Sequence, residues 1–234
     1  MRINNQRKNR LLASPVKHYP LPRRLVDRQD YILSHCVNKR VLHVGFADFS
    51  STGDLEVAVN SSGWLHRKIQ TVAGELIGLD SASAAVEQLK AEFGVKGIYV
   101  GDAERLDLLD KGLFDVIVAG EIIEHLPCPG SFLASARRVL EENGSLIITG
   151  PNAFCLRKLL QVARGRESVH EDHVAYYSHS TLYRLAQLFE YQIEEQCSYR
   201  LPNSRPLFPY IVERFACLIS PNLGEGIIAR LIKK

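Results

Sequence analysis

Short apolar runs alternate with amphipathic segments between residues 40 and 152, and this alternation restricts the fold more than any other feature of the sequence. RVLHVGF, ELIGLD, FDVIVAGE and SLIITGPN are apolar almost throughout, which is typical of strands covered on both faces of a parallel sheet. The intervening segments GWLHRKIQTVA, SASAAVEQLKAEFG and GSFLASARRVLEENG are predicted helices, the last two ending at Gly94 and Gly144. GIYVGD, YQIEEQCSY and GIIARLIKK are further predicted strands. The predicted fold is therefore α/β, a doubly wound, mostly parallel seven-stranded sheet with helices on both faces.

The composition is that of a globular chain rather than a membrane or disulfide-rich one. Of 234 residues, 46% are hydrophobic and 24% charged, and no apolar run approaches the roughly 20 residues that span a bilayer. Residues 1–20 are basic but lack the apolar stretch of about 7–15 residues found in signal peptides. Five scattered cysteines without CxxC spacing predict reduced thiols. We therefore expect a cytoplasmic protein without a transmembrane segment.

The charge distribution divides the chain into two parts. Residues 1–24 form a basic N-terminal arm, and residues 25–234 form one domain in which less regular elements, 153–225, would cover the substrate. Such an arm can contact phosphates or an anionic lipid surface, or it can be a solvated tail. The arm therefore leaves peripheral membrane contact and nucleic-acid binding open.

Acidic residues follow three successive predicted strands, at the edge where an open parallel sheet binds its ligand. The first four strands are followed by Gly45–Asp48, Asp80–Ser81, Gly101–Ala103 and Gly120–Glu121. A carboxylate at the end of the second strand commonly accepts hydrogen bonds from ribose hydroxyls. Asp and Gly also begin loops for reasons of turn geometry, but three acids in succession favour a nucleoside site. Asp80 is the strongest single candidate.

The chain resembles the class I S-adenosylmethionine-dependent methyltransferases, especially the small-molecule branch that includes the ubiquinone-pathway O-methyltransferases. The resemblance runs from about Arg40 to Tyr199 and rests on VLHVGFAD, LIGLD, GDAERLDL, FDVIVAGEIIEHLPCPGSFLASARRVLEENGSLIITGPN and DHVAYYSHSTLYRLAQLFEY. It implies a Rossmann-like methyltransferase fold with S-adenosylmethionine as cofactor. The cofactor-binding residues that it implies are Gly45, Phe46, Ala47, Asp48, Asp80, Ser81, Asp102, Ala103, Gly120 and Glu121. In this scheme Asp80 meets the ribose, Asp102 and Ala103 meet the adenine, and Glu121 borders the methyl group.

The first loop departs from the family pattern. His43 stands where an acid is usual, and Ala47 and Phe49 stand where glycines are frequent. Asp48 is a candidate replacement for the missing carboxylate. A cofactor with a sulfonium needs no glycine cradle for phosphate, so the glycine-poor loop is compatible with S-adenosylmethionine and disfavours NAD.

The turn EIIEHL after the fourth predicted strand brings Glu121, Glu124 and His125 close together in sequence. If the turn is helical, these side chains can share a face, and two carboxylates with an imidazole suit a divalent cation. In the ubiquinone-pathway enzymes and in small-RNA 2′-O-methyltransferases a similar turn binds such an ion, and in the RNA enzymes a downstream histidine joins it, matched here by His173. The resemblance thus implies Mg or Mn at Glu121, Glu124, His125 and His173. The alternative is that these residues only orient the turn.

Without a metal, Glu121, His125 and His173 are the catalytic candidates, and either histidine could be the general base. The predicted function is S-adenosylmethionine-dependent methyl transfer to oxygen of a small or glycan- or lipid-linked metabolite. The alternatives are a metal-assisted RNA 2′-O-methyltransferase that uses the basic arm, and a non-catalytic binding or scaffold protein with a degenerate cofactor loop. A dehydrogenase or nucleotide-sugar enzyme of the same fold is disfavoured by the glycine-poor loop.

Overall fold

The sheet is mixed and eight-stranded, in a computed structural model that describes residues 19, 21–47, 55–61, 63–201 and 207–234. The strands follow the order β1-β7-β8-β6-β5-β2-β3-β4. They are β1 (Leu25–Val26), β2 (Arg40–Val44), β3 (Glu75–Asp80), β4 (Ile98–Val100), β5 (Phe114–Gly120), β6 (Leu140–Pro151), β7 (Tyr191–Tyr199) and β8 (Gly226–Lys233). The predicted α/β class is confirmed.

Among the described residues, α-helices lie between these strands, together with 3-10 helices at Ala103–Leu109 and Pro221–Leu223. The α-helices are α1 (Arg28–Cys36), α2 (Leu55–Asn60), α3 (Leu65–Val72), α4 (Ser83–Phe93), α5 (Pro129–Val139), α6 (Leu156–Ala163), α7 (His179–Leu188) and α8 (Leu207–Ile219). In the described part of the chain, no helix is both long and apolar enough to cross a membrane.

The predicted count of seven strands is wrong, because β1 adds an eighth. Leu25 and Val26 pair in parallel with Ser198 and Tyr199 at the edge of the sheet. A two-residue strand has no periodicity to reveal it, and these residues look like the beginning of the helix that follows them. The pairing places α1, which starts at Arg28, directly beside the sheet.

Two predicted helix ends have different outcomes. Gly94 ends α4 in the left-handed conformation, with φ 62°, as predicted. The prediction that Gly144 closes the next helix is wrong, since α5 ends at Val139 and Leu140 already pairs with Phe114 of β5. The segment before Gly144 is therefore the start of a long strand.

The central strands are parallel, and this fixes which loops meet. Val44 of β2 lies opposite Leu79 of β3 on one side and Ala119 of β5 on the other. The loops that follow these three strands consequently emerge side by side at one edge. β8 lies between β6 and β7 in the other half of the sheet and runs antiparallel to both.

The core lies on both faces of the sheet because successive strand residues point to opposite sides. One layer packs Leu42, Ile117 and Ile148 against α5 and α7, and the other packs Val41 and Ile147 against α1 and α3. Each fully buried aliphatic side chain contributes roughly 1.5–3 kcal/mol to folding. The sheet edge that carries the loops is therefore held by a rigid, two-sided core.

Candidate active site

The first loop begins at Gly45, where only glycine fits. Its φ is 73°, and a Cβ at this position would lie 2.2 Å from Cγ2 of Ile122. Its backbone N–H donates to the carbonyl of Leu79 at 2.9 Å. The absence of a side chain lets the loop after β2 pass directly beside the turn after β5.

Asp80 connects the loops of β2 and β3. Its Oδ2 accepts a hydrogen bond from the backbone N–H of Ala47 at 2.8 Å, and its Oδ1 accepts one from Ala82 at 2.9 Å. The residue is buried, with 8% of its surface exposed. A carboxylate oxygen has more than one lone pair, so these two bonds leave acceptor capacity for a ligand hydroxyl.

A cavity of about 310 Å³ opens at these strand ends, and we call it the donor cavity. It is lined by Val44, Gly45, Ala47, Leu79, Asp80, Ser81, Gly101, Ala103, Glu121, Ile122, His125, Leu126 and Asp172. The lining combines apolar side chains with a few convergent polar groups, as is typical of small-molecule sites.

His43 is buried in β2, beside Val44 of the donor cavity lining, and is uncharged. Its Nδ1 is 3.3 Å from Nδ1 of His66, so one of these nitrogens must carry the hydrogen. Burial lowers the pKa of His43 well below its usual value and that of His66 to about 4. The indole N–H of Trp64 donates to the carbonyl of Phe46 at 3.0 Å. His43 stands where an acid is usual in the methyltransferases that the chain resembles, and here it belongs to a neutral, buried histidine pair.

Glu121 follows β5 in a left-handed conformation, with φ 58°, which for a residue other than glycine costs roughly 1–3 kcal/mol. Its Oε1 accepts hydrogen bonds from Thr149 Oγ1 at 2.9 Å and from the Tyr199 hydroxyl at 2.5 Å. Arg28 Nε is 3.9 Å from the same oxygen. Burial, and then the nearby Glu121 carboxylate, raise the pKa of Tyr199 well above its usual value, so its hydroxyl stays a donor. These contacts hold the Glu121 carboxylate in place.

A second cavity, of about 560 Å³, lies next to the donor cavity, and we call it the acceptor cavity. It is lined by Glu121, Glu124, His125, Pro151, Cys155, Arg157, Lys158, Ser168, Val169, His170, Asp172, His173, Tyr199, Leu201 and Glu225. Glu121, His125 and Asp172 line both cavities. A ligand in one cavity therefore lies across a single layer of side chains from a ligand in the other.

Glu124, His125 and His173 form the one group of candidate metal-ligating side chains found among the described residues, with ligand atoms within 4.8 Å of one another. The backbone N–H groups of Val174 and Ala175 donate to the carbonyl of Glu124 at 2.9 and 3.2 Å, and this brings the His173 loop to the turn. We call these three residues the acceptor cluster. Glu124 is buried, with 1% of its surface exposed.

The two histidines of the acceptor cluster pack edge to face, with ring centroids 4.6 Å apart. Nδ1 of His125 lies 3.2 Å from the carbonyl of Asp172, which fits a protonated Nδ1 and leaves Nε2 as an acceptor or ligand. Burial, followed by the charges of His125, His170 and Lys158, lowers the pKa of His173. His173 is therefore neutral near pH 7.

Part of the chain is similar to a known family. Residues 55–148 match the family model described as a methyltransferase domain. This match covers less than half of the chain. The matched segment runs from α2 into β6 and includes Asp80, Glu121 and two members of the acceptor cluster.

A curated relative matches part of the chain, and two solved structures share its fold. A Mycolicibacterium smegmatis protein named as a "probable S-adenosylmethionine-dependent methyltransferase" is 34% identical over 84 residues, which are 36% of this chain and 32% of that protein. The chain thus spans about a third of the length of this curated relative. Synechocystis magnesium protoporphyrin IX methyltransferase with bound SAH has a TM-score of 0.56 at 10% identity, covering 88% of this chain and 82% of that chain. A chain in the complex between the Haloferax volcanii Trm112 methyltransferase activator and a methyltransferase has a TM-score of 0.60 at 15% identity, covering 87% of both chains.

The fold brings together most of the predicted cofactor residues at one cavity. Gly45, Ala47, Asp80, Ser81, Ala103 and Glu121 line the donor cavity. Three others lie outside its lining. Phe46 is buried with Trp64 and His66, Gly120 is buried at the end of β5, and Asp102 is exposed and accepts a hydrogen bond from the N–H of Glu104. Asp48 lies outside the described residues.

The predicted metal and catalytic residues divide into two groups. Glu124, His125 and His173 form the acceptor cluster, whereas Glu121 is held by Thr149 and Tyr199 at the wall between the cavities. The EIIEHL segment is a non-helical turn, in which the His125 N–H donates to the carbonyl of Ile122 at 3.0 Å. This turn, and not a helical face, directs Glu124 and His125 to the same cavity.

Sequence reasoning missed the groups that hold Glu121 and the cations of the acceptor cavity. Arg28, Thr149 and Tyr199 come from three distant segments, and only Thr149 carries a signal, as a polar residue near the carboxyl end of an apolar strand. Arg157 and Lys158 lie in the region 153–225, which is predicted only to cover the substrate.

Proposed function

We propose that this protein transfers a methyl group from S-adenosylmethionine to a hydroxyl oxygen of a small, or glycan- or lipid-linked, acceptor bound in the acceptor cavity. The observation that carries this proposal is the shared wall of the two cavities, formed by Glu121, His125 and Asp172. Methyl transfer is a direct displacement that requires a nucleophile aligned with the sulfonium. Two adjoining cavities separated by one layer of side chains suit that requirement.

In the donor cavity, Asp80 would accept hydrogen bonds from the ribose hydroxyls while its own carboxylate is oriented by Ala47 and Ala82. Gly45 lines the same cavity and would border the methionine part of the cofactor. Ala103 and Ser81 line the same cavity and would border the adenosine. Glu121 supplies a fixed negative charge at the wall nearest the acceptor cavity, where the positively charged sulfonium would lie.

In the acceptor cavity, a histidine of the acceptor cluster would take the proton of the acceptor hydroxyl. His173 is neutral near pH 7 because its pKa is lowered, and Nε2 of His125 is left as an acceptor by the contact of Nδ1 with Asp172. As the S–CH₃ bond breaks and the O–CH₃ bond forms, the hydroxyl proton moves to the imidazole and S-adenosylhomocysteine remains. General-base catalysis of this kind contributes about 10²- to 10⁴-fold.

The acceptor cluster also has the donor set for a divalent cation. Two imidazole nitrogens and one carboxylate, all within 4.8 Å, fit Mn²⁺, Mg²⁺ or Zn²⁺. When bound, such an ion would lower the pKa of an acceptor hydroxyl near it. Glu124, His125 and His173 would hold it, and Asp172 would orient His125 through its carbonyl. Titration of the protein with Mn²⁺, followed by electron paramagnetic resonance, tests this site, and His173→Ala should abolish binding.

The experiment that tests the proposed function is calorimetric titration of cofactor-stripped protein with S-adenosylmethionine, S-adenosylhomocysteine and NAD. We expect both adenosyl compounds to bind and NAD not to bind, since the loop after β2 offers no glycine cradle for a pyrophosphate. A screen of hydroxylated acceptors with labelled S-adenosylmethionine follows. A folded protein that binds neither adenosyl compound would contradict the proposal and favour a binding or scaffold role.

A further inference from the structure

The acceptor cavity contains two cations that the proposed chemistry does not use. Arg157 and Lys158 line it, and both lie in the first turn of α6. The positive end of the helix macrodipole disfavours cations in that turn, so these residues do not stabilise their own helix. Their position needs another explanation.

Neither cation is neutralised by the acids that share the cavity. Elsewhere arginines and lysines form ion pairs, for example Arg40 with Glu75 and Arg230 with Glu194. Within the described residues, no ion pair within 4.0 Å involves Arg157 or Lys158.

The acids that line the cavity are engaged with other groups. The carboxylate of Glu121 accepts from Thr149 and Tyr199, and Oε2 of Glu225 accepts from the N–H of Leu201 at 2.9 Å. Glu124 belongs to the acceptor cluster, and Oδ2 of Asp172 lies 3.6 Å from Nδ1 of His170.

Lys158 is held in place by an aromatic ring. Its Nζ lies 3.5 Å from the centroid of the Tyr176 ring, and the residue is half-buried. A cation–π contact fixes the ammonium without neutralising its charge, and its N–H donors remain available. Arg157 adds a planar donor fork of the kind that binds carboxylates and phosphates.

We infer that the methyl acceptor carries an anionic group, a carboxylate or a phosphate, which Arg157 and Lys158 bind in the same cavity as the acceptor cluster. This inference rests on the proposed function, since it names the acceptor class of that site. The anionic group fixes one part of the acceptor, and the hydroxyl that receives the methyl group then faces Glu124, His125 and His173. A neutral acceptor of the same shape lacks this anchor.

The test is calorimetric titration with phenyl phosphate, benzoate and phenol at constant ionic strength, on protein with and without S-adenosylhomocysteine. We expect at least one of the two anions to bind with a Kd about tenfold or more below that of phenol, because a charge-assisted bidentate contact is worth more than about 1.4 kcal/mol. The tighter anion identifies the group as phosphate or carboxylate. R157Q/K158Q should remove the preference and leave S-adenosylhomocysteine binding unchanged, since neither residue lines the donor cavity.

The matched control is R164Q/R166Q, which removes the same charge from the other end of the helix, at two residues outside the acceptor cavity lining. It should keep the preference for the anion. The inference is overturned if both anions bind no tighter than phenol, or if the two double variants lose the preference equally, since only net charge would then matter. Failure of the proposed function would appear separately, as absence of S-adenosylhomocysteine binding, while the titration without that ligand still reports on the anion.

Discussion

The donor and acceptor cavities adjoin, yet they are built in different ways. The donor cavity is lined mainly by residues that directly follow β2, β3, β4 and β5, and Asp80 ties two of these loops together through backbone hydrogen bonds. The acceptor cavity is assembled from segments between Glu121 and Glu225 that are far apart in sequence. The donor site is therefore a property of the parallel sheet, whereas the acceptor site depends on how later segments pack. Such a division lets one fold keep its cofactor and change its acceptor.

The histidines near the two cavities also differ, in how far they are exposed to solvent. His43 and His66 are buried and lie outside the donor cavity lining, whereas His125 and His173 are partly exposed in the acceptor cavity. Burial keeps the first pair neutral and structural. The second pair faces a space where a ligand can exchange a proton with it.

The largest effect is expected in the acceptor cluster. His173→Ala should reduce methyl transfer by about 10²- to 10⁴-fold, as loss of a general base does, while leaving S-adenosylhomocysteine affinity within about threefold. His173 lines only the acceptor cavity. Single-turnover rates with labelled S-adenosylmethionine, together with calorimetry, measure the two quantities.

His170→Ala is the matched control for this prediction. His170 lines the same cavity, with its ring centroid 5.3 Å from that of His173, but it does not belong to the acceptor cluster. We expect a much smaller loss of rate. Equal losses in the two variants would mean that the loop, and not the cluster, matters for transfer.

Asp80→Ala should have the next largest effect, on the donor side. It removes a carboxylate that accepts two backbone hydrogen bonds and that would bind the ribose, and hydrogen bonds to a charged group are worth about 1.5–3 kcal/mol each. We expect S-adenosylhomocysteine affinity to fall by roughly 100-fold or more. Circular dichroism of the variant establishes that the fold is retained.

Asp102→Ala tests the acid that follows β4, for comparison with Asp80 at the end of β3. Asp102 is exposed and outside the donor cavity lining, where its side chain accepts from the N–H of Glu104. Its loss should weaken S-adenosylhomocysteine binding far less than loss of Asp80. A comparable loss would instead support the adenine contact that the family resemblance implies.

Acid should destabilise the protein through its buried histidines. The pKa values of His66 and His179 are lowered by burial from 6.5 to about 4, so below pH 6.5 the unfolded chain binds more protons than the folded one. The free energy of unfolding then falls as the pH falls, by roughly 2 kcal/mol per histidine at pH 5. Urea denaturation at pH 7 and pH 5 measures this fall in the free energy of unfolding. In His179→Gln the fall should be smaller by roughly 2 kcal/mol, the contribution of one histidine. An unchanged free energy would show that these groups are not buried in solution.

The smallest effect is expected at the N-terminus of α7. Ser178 and Thr181 form a capping box at the start of α7, with the Ser178 hydroxyl accepting from the Thr181 N–H at 3.2 Å. Ser178→Ala should lower the free energy of unfolding by about 1 kcal/mol. Donor binding should not change, because Ser178 does not line that cavity. Chemical denaturation measures the free energy of unfolding, and calorimetry measures the affinity for S-adenosylhomocysteine. A loss of that affinity in Ser178→Ala would contradict the view that the donor cavity is independent of the later segments.

The sequence predicts the sheet and most residues of the donor cavity lining because their signals are local. Apolar strand runs, acids after successive strands and Gly45 can be read directly from the sequence, and parallel pairing brings the strand ends to one edge. The acceptor side is less visible because its contacts join distant residues. Tyr199 reaches Glu121 from 78 positions away, and Arg28 reaches Thr149 from 121 positions away. β1 was also hidden, since a two-residue strand exists only through its partner in β7.

The wall formed by Glu121, His125 and Asp172 belongs to both cavities, and this has a thermodynamic consequence. Any ligand that reorients these side chains on one side alters the surface offered on the other, so the two binding events share a coupling free energy. Reciprocity then requires that the cofactor change the affinity for the acceptor by the same factor as the acceptor changes the affinity for the cofactor. If the proposed function holds, replacing S-adenosylmethionine by its demethylated product removes a positive charge beside this wall, and the affinity for the methylated acceptor changes with it.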